Sequence, residues 1–352
     1  MRVIISKVIK TSYRAQEVHI MKYIVFSDLH AHLFNDFAKP DEEYINTRLA
    51  NIVHALRDIL KIAKEEGRTV LFAGDLFHAR GSVRSEVFNA IFETIATFSE
   101  VPIIMIRGNH DSSNNSISSP SSIEPFEYLP NVKLITGMDK VINGEDTLTL
   151  VSYGEEYADI KEFIKTNPAD ILMAHLGIEG SKGAGASKLD GPFTVGDLYP
   201  ENNQIVLLGH YHRSQKFTDN MLYVGNPVAQ NFSDSDMHKG AYTFEIKDHK
   251  LKDLTFIDLG YPIFETKELS DIETALPTSY VRVKATRDAL ETIKENTEVP
   301  DNVRLDVEYK AVTDTRINID MGDSPVDISK AWAKEFMPED EDTIVKQLNK
   351  VV

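Results

Sequence analysis

Five short runs of this chain carry side chains that bind hard metal ions: Asp28-Leu29-His30, Gly74-Asp75, Gly108-Asn109-His110-Asp111, His175, and Gly209-His210-Tyr211-His212. Carboxylate oxygens, an amide oxygen and neutral imidazoles suit Mn, Fe or Zn, and there are enough of them for two ions. Two such ions about 4 Å apart acidify a water and clamp a phosphoryl group, which is what hydrolysis of a phosphoester at neutral pH requires. Asp75, at a strand tip, is the natural bridging carboxylate. Asp28 and His30 lie two residues apart, so both reach one ion from a strand that ends in a turn. His210 and His212 share that spacing and address different ions, with Asn109 and His175 completing the second. His110 stands beside a ligand without having to ligate, which makes it the candidate acid for the leaving oxygen. Any one of these runs alone is more often a turn or a surface pair; five in order, each closing an apolar stretch, are read as one site.

The elements that must position them follow from those stretches. Residues 23–26, 70–72, 103–106, 171–173 and 205–208 are apolar runs of strand length, so the ligands sit at strand carboxyl ends, on one rim of an α/β sheet. Residues 41–66 carry a helical stripe through Ile45, Leu49, Ile52, Val53, Leu56, Ile59 and Leu60 that stops at Gly67. Residues 82–98 repeat it through Val83, Val87, Ile91 and Ile95, with Ser82 as the expected N-cap. Short alternating segments at 132–135 and 147–152 predict a second sheet, followed by a helix at 157–165. The stretch 180–191, rich in Gly, Ala, Ser and Lys, reads as a mobile loop just after His175. Strands at 222–224, 241–246 and 254–259 close the domain. From Tyr261 the pattern resets to strands at 280–284 and 304–309 around a helix at 287–295. The tail reads as two helices, with Ile328, Trp332 and Phe336 on one stripe and Ile344, Val345 and Leu348 beyond an acidic break at 338–342. The expected division is an extension at 1–20, a catalytic domain at 21–260, a capping domain at 261–322 and a helical partner-docking segment at 323–352.

With 352 residues, 42% of them hydrophobic, the chain is long enough for one large core and an appendage. The absence of cysteine excludes disulfides, thiolate zinc clusters and a cysteine nucleophile, and is compatible with a reducing cytosol. No run approaches the ~18 apolar residues of a membrane span. The apolar residues 3–9 include Lys7 and no cleavage pattern, so no secretory signal is expected. A formal charge of −17 argues against a non-specific nucleic-acid coat. A nuclease is still compatible, because residues 261–352, with 20 acidic and 12 basic residues, hold nearly half of the excess. Bound dications would offset more of it where a phosphate must sit. Arg80, Arg84, Lys182, Lys188, Arg213 and Lys216 either track a DNA backbone or are ordinary solvated surface. His19, His32, His54, His238 and His249 have no ligand spacing around them and are read as structural.

The pattern Asp28-x-His30, Gly74-Asp75-x-x-His78, Gly108-Asn109-His110-Asp111, His175 and Gly209-His210-x-His212 resembles the calcineurin-like metallophosphoesterases. Gly74-Asp-Leu-Phe-His78, His175-Leu-Gly-Ile-Glu-Gly180, Gly209-His-Tyr-His-Arg-Ser-Gln-Lys216 and Tyr223-Val-Gly-Asn-Pro227 resemble, more narrowly, the nuclease subunit of SbcCD-type double-strand-break repair complexes and phage recombination exonucleases. The similarity covers residues 21–259. It implies an α/β fold, a four-layer α-β-β-α sandwich with a small α+β capping domain and C-terminal helices. It also implies a DNA exonuclease or endonuclease acting in recombination and repair, two divalent ions with Mn2+ as activator, and an SMC-like coiled-coil ATPase of the SbcC type as partner. DNA as substrate, a homodimer and a cytoplasmic location in a bacterial or phage-infected cell complete that expectation. By motif, Asp28, His30, Asp75, Asn109, His175, His210 and His212 would be metal ligands, with His110 and His78 acting on the scissile phosphate. One position departs from the pattern: Ala31-His32 follows His30 where the family usually has Leu-Gly. Two other classes stay open: a phosphatase or phosphodiesterase using the same ions on small or protein substrates, and a non-catalytic scaffold, which the full ligand set disfavours.

Overall fold

The computed structural model describes residues 19–183, 187–235, 237–270, 278–287, 289–290, 299–307 and 324–348. Its elements are β1 (Ile20–Phe26), β2 (Pro40–Asp41), β3 (Ile45–Asn46), α1 (Thr47–Glu66), β4 (Thr69–Phe72), α2 (Ser85–Thr97), β5 (Ile103–Ile106), β6 (Val132–Ile135), β7 (Met138–Asn143), β8 (Asp146–Val151), α3 (Tyr157–Thr166), β9 (Ile171–His175), β10 (Ser181–Lys182), β11 (Lys188–Leu189), β12 (Ile205–Gly209), β13 (Gln215–Thr218), β14 (Met221–Tyr223), β15 (Gly240–Lys247), β16 (Lys250–Asp258), β17 (Ile263–Lys267), β18 (Ser279–Ala285), β19 (Val303–Val307), α4 (Pro325–Phe336) and α5 (Glu341–Leu348).

Two six-stranded sheets run in the orders β16-β15-β1-β4-β5-β6 and β13-β14-β12-β9-β8-β7. Strands β1, β4, β5 and β6 are mutually parallel, as are β14, β12, β9 and β8. Successive side chains of a strand point to opposite faces, so each continuous apolar run feeds two interfaces. Tyr23, Val25, Leu71 and Ile104 meet Leu148, Met173, Leu207 and Leu222 between the sheets. Their neighbours Ile24, Phe26, Val70 and Phe72 face Leu49, Leu56 and Ile59 of α1 and Val87, Ile91 and Ile95 of α2. On the far side Leu172, Val206 and Met221 pack on Ile160 and Ile164 of α3. The result is the expected α-β-β-α sandwich.

Several boundaries differ from the sequence reading. Helix α1 starts at Thr47, not near 41, because Asn46 accepts a hydrogen bond from the Leu49 amide (2.9 Å) and Ile45, at φ 72°, is exposed in a two-residue strand. Helix α2 starts at Ser85 behind Arg84, which makes no side-chain cap, so Ser82 is not the cap. The segment at 132–135 joins the first sheet beside β5. The second sheet instead opens with β7, a strand invisible in the sequence because only Val141 of it is buried, as befits an edge.

Strands β17, β18 and β19 form a separate parallel sheet over Val281, Val283 and Val303. It is fastened to the sandwich by buried Arg48, which donates to the carbonyls of Asp36 (2.8 Å), Ala229 (3.3 Å) and Gln230 (2.7 Å) while lying over the rings of Phe34, Phe264 and Tyr280. Of the helix expected at 287–295, the first turn is present, with the Leu290 amide bonded to the Thr286 carbonyl (3.1 Å). Position 288 and positions 291–295, the strand end at 308–309 and residues 1–18 of the extension lie outside the described residues. No helix among the described residues is long and apolar enough to cross a membrane.

Candidate metal centre

Parallel β1, β4, β5, β9 and β12 end on one rim, and the five motif runs begin there. The backbone leaves them in unusual conformations: Asp28, His30, Asp75 and His210 have φ of 52°, 46°, 63° and 112°. Each non-glycine residue held there costs about 1–3 kcal/mol and persists only where its surroundings over-determine it. Here they do. The amides of Asp28, His30 and Ala31 donate to the carbonyls of Gly74 (2.9 Å), Asp75 (3.0 Å) and Leu76 (2.8 Å), locking the first run to the second. The buried Asp111 carboxylate accepts the amides of Asp75 (2.9 Å), Leu76 (2.9 Å), Phe77 (3.1 Å) and Gly108 (3.0 Å), locking the second run to the third. Gly108 is required as glycine, since a Cβ there would overlap the Asp75 carboxylate.

The side chains converge. Asp75 Oδ2 lies 3.5 Å from both His30 Nε2 and His175 Nε2. Asn109 Oδ1 lies 3.0 Å from His175 Nε2 and 2.9 Å from His210 Nδ1. His212 Nε2 lies 3.1 Å from His30 Nε2, and Asp28 Oδ1 is 3.9 Å from the same atom. All seven sequence-derived ligand candidates therefore meet, as Asp28, His30 and His212 on one side and Asn109, His175 and His210 on the other, with Asp75 between.

Hydrogen-bond logic shows that a cation fits. His175 Nδ1 faces the Ala73 carbonyl (2.7 Å), which only accepts, so Nδ1 carries the proton and the Nε2 lone pair points at the oxygens of Asp75 and Asn109. His212 Nδ1 likewise faces Asp234 Oδ1 (3.2 Å), leaving its Nε2 lone pair aimed at His30 Nε2. Nitrogens and oxygens set this close need positive charge between them, from protons or from metal ions. Without a metal ion, protons supply part of that charge. Burial raises Asp28 above the usual carboxylate range, whereas burial of Asp75 is outweighed by His175 and His30, which hold it below that range. Burial depresses His175, but Asp75 and Asp28 overcome it and push the imidazole up to about 9. Burial holds His210 down to about 3. Among the described residues no lysine or arginine forms an ion pair with Asp28 or Asp75. Divalent ions would supply that charge and leave the imidazoles neutral, as ligands must be.

Residues 21–214 match the calcineurin-like phosphoesterase family. This chain belongs to that family. It is 26% identical over 266 residues to the D subunit of the nuclease SbcCD of Staphylococcus epidermidis, a match covering 66% of each chain. It is 25% identical over 226 residues to the same subunit of the nuclease SbcCD of Staphylococcus saprophyticus, covering 54% of this chain and 58% of that one. The chain thus spans less than two thirds of the length of the curated relatives it matches. Among solved structures, a dimetal phosphatase from Danio rerio aligns over 67% of this chain and 99% of its own, at 12% identity and a TM-score of 0.40.

The remaining motif histidines of this phosphoesterase line the open side of the centre. His110 is anchored by its amide on Asp75 Oδ1 (2.7 Å) and by Nδ1 on the His78 carbonyl (2.7 Å), which leaves Nε2 for a ligand. Its ring stands edge-on to His30 with centroids 4.6 Å apart. His78 lies 5.4 Å from the His30 ring, and burial holds it down to about 4, so it is neutral at pH 7. The Nδ1 of His78 is buried without a hydrogen-bond partner among the described residues. His32, expected to be only structural, packs its ring 5.1 Å from that of His78, beside the site. Of the candidate cations, Arg84 pairs with Glu86 and Arg80 bonds to Ser112 and Asn115, while Lys182 and Lys188 pair across β10 and β11, Arg213 bonds to the Gly183 carbonyl, and Lys216 is exposed on β13. The segment 180–191 is not the expected loop: β10 and β11 make it a hairpin, with 184–186 outside the described residues.

Residues that sequence reasoning passed over are those that orient ligands. Asp111 lay inside a quoted motif, but three of its four amide partners come from the separate turn at Asp75–Phe77. Asp234 gave no signal at all. Its carboxylate faces His212, accepts from Asn226 Nδ2 (3.0 Å) and the Gln230 amide (2.9 Å), and pairs with buried Lys239 (3.4 Å). Such partners fix ligand tautomer, and their loss commonly costs 10–100-fold in metal affinity. Asp234→Asn is therefore expected to weaken Mn2+ binding by about that factor, read by calorimetric titration; wild-type affinity would show that His212 needs no such support.

Proposed function

We propose that this chain is a DNA nuclease subunit that hydrolyses phosphodiester bonds through two Mn2+ ions. Asp28, His30 and His212 would hold one ion, Asn109, His175 and His210 the other, and Asp75 both. The observation that carries the reading is the convergence of these seven side chains on one rim, in groups whose ligand atoms lie close enough to share an ion, in a chain whose relatives are named as SbcCD nuclease subunits. When bound, the ions supply an activated water and neutralise the phosphoryl oxygens. The chain's own contribution is placement and a proton. His110, fixed at its amide and Nδ1, presents Nε2 to the leaving oxygen, and His78, kept neutral, donates a hydrogen bond to a phosphate oxygen. The phosphatase reading is separated by one experiment: Mn-dependent degradation of linear duplex DNA beside turnover of a nitrophenyl phosphate monoester. DNA loss is the expected result; vigorous monoester turnover with intact DNA would overturn it.

The proposal extends to the division at residues 260 and 322 and to a coiled-coil ATPase partner. On α4, Ile328, Trp332 and Phe336 are 37%, 42% and 44% exposed, although the Trp332 and Phe336 rings pack 5.6 Å apart. Helices α4 and α5 pack on each other, yet the stripe stays half open. An aromatic anchor dominates many such interfaces, so Trp332→Ala should cost about 2 kcal/mol or more of partner affinity. Pull-down of an SbcC-type coiled coil measures this, and undiminished capture would sink the docking assignment.

A further inference from the structure

Residues 210–215 alternate. His210 and His212 turn into the metal centre, while Tyr211, Arg213 and Gln215 turn the other way and fasten the β10–β11 hairpin. The Tyr211 hydroxyl donates to the Asp190 carbonyl (3.2 Å), and Arg213 Nε donates to the Gly183 carbonyl (3.3 Å). Gln215 accepts from the Lys182 amide (2.8 Å) and donates to its carbonyl (3.0 Å), so its side chain pairs with the hairpin as a neighbouring strand would. Hairpin and ligands are thereby held as one piece. Between them opens a cleft of about 190 Å³, lined by Lys182, Leu189, Tyr211, Arg213, Ser233 and Met237 together with His210 and His212.

The charge on this piece is unlike that of the chain. Lys182, Lys188 and Lys216 are exposed and Arg213 is half-buried, and none of the four forms an ion pair among the described residues. Lys22, Lys39, Lys64 and Lys161 sit against carboxylates, whereas Lys247 and Lys250 face each other across β15 and β16, exposed and without an ion pair among the described residues, away from the rim that carries the metal centre. The acidic residues nearby are Glu179 and Asp190 at the hairpin base, Asp219 beyond Lys216, and Asp234 in the cleft lining, where it pairs with Lys239. Within the hairpin Lys182 is the direct cross-strand partner of Lys188. Like charges placed opposite each other destabilise a strand pair, and an anion between them removes that penalty.

We propose that Lys182 and Lys188 of the hairpin, with Arg213 beneath them, form a cationic ledge that holds phosphates of the nucleic-acid strand where it runs off the metal centre on the His212 side. This rests on the nuclease reading above and adds the place where the flanking strand is gripped. Each lysine that neutralises a phosphate contributes roughly 0.7–0.9 to the slope of log K against log salt concentration. The test is the salt dependence of binding to a short linear duplex, in chelator so that nothing is cut. Lys182→Ala/Lys188→Ala is expected to flatten the slope by about 1.5 and to weaken binding at 0.1 M salt on the order of 10-fold or more. A control, Lys247→Ala/Lys250→Ala, removes the same charge from an exposed cross-strand pair of the first sheet, where Lys247 also pairs with Ile20 at the start of β1. Its slope should change by less than about 0.5. If the double variant folds poorly, Lys188→Ala alone should still flatten the slope by just under about one. Equal effects of the two double variants, or an unchanged ledge slope in a protein that binds and cuts DNA, would overturn the ledge alone. A wild-type chain that binds no DNA at any salt concentration would overturn both readings.

Discussion

Asp75→Asn is expected to abolish metal-stimulated hydrolysis and to leave a folded protein with reduced metal content. The physical reason is position. Asp75 Oδ2 is equidistant, at 3.5 Å, from an imidazole of each group of donors. Asparagine keeps the size and the Oδ1 that accepts the His110 amide, yet removes the charge both ions would share. Since loss of a partner of a ligand already costs 10–100-fold in metal affinity, loss of a shared ligand should cost more than about 100-fold. The fold should survive because the His175 imidazole, depressed by burial but pushed up by the Asp75 carboxylate, can release its proton once that charge is gone, so no uncompensated charge stays buried in the metal-free protein. Metal content by mass spectrometry, hydrolysis rate and the metal-free unfolding temperature are the three readouts. Wild-type metal content together with wild-type rate would refute the site. His210→Ala should behave alike on metal and rate, though it takes one ligand of one ion only.

The second large effect is chemical without loss of metal. His110→Ala is expected to retain both ions and to slow DNA cleavage by roughly 100-fold or more, the scale for a positioned acid that protonates a leaving oxygen. The structure makes the separation testable, because the hydrogen bond of His110 to the ligand set runs from its amide to Asp75 Oδ1, a bond that alanine keeps. Its imidazole meets the His78 carbonyl and the edge of the His30 ring. Should the rate fall only in step with metal content, His110 would be a ligand and the acid would have to be sought elsewhere, with His78 next in line.

The chemistry-bearing residues were legible because the rule that exposes them is local: an apolar run of four or so residues followed by Asp, Asn or His. That periodicity, set by the alternation of faces in a strand buried on both sides, also marked the two-layer sheet and the stripes of α1 and α2. Boundaries were less legible. The start of α1 depends on one hydrogen bond from Leu49 to Asn46, and the hairpin at 181–189 depends on Gln215, thirty-three residues away from Lys182.

By itself, the sequence determined the donor types, their order, and the strands that end beside them, which is enough to specify a metal-dependent phosphoesterase rim. Tertiary structure alone decided which donors share an oxygen, that Asp234 and Asp111 orient them, that His32 stands beside His78, and that Arg213 meets the hairpin carrying Lys182 and Lys188. The difference is physical. Strand ends are encoded by near neighbours, whereas distances of about 3 Å between atoms from five turns are set by how two sheets close on a common core.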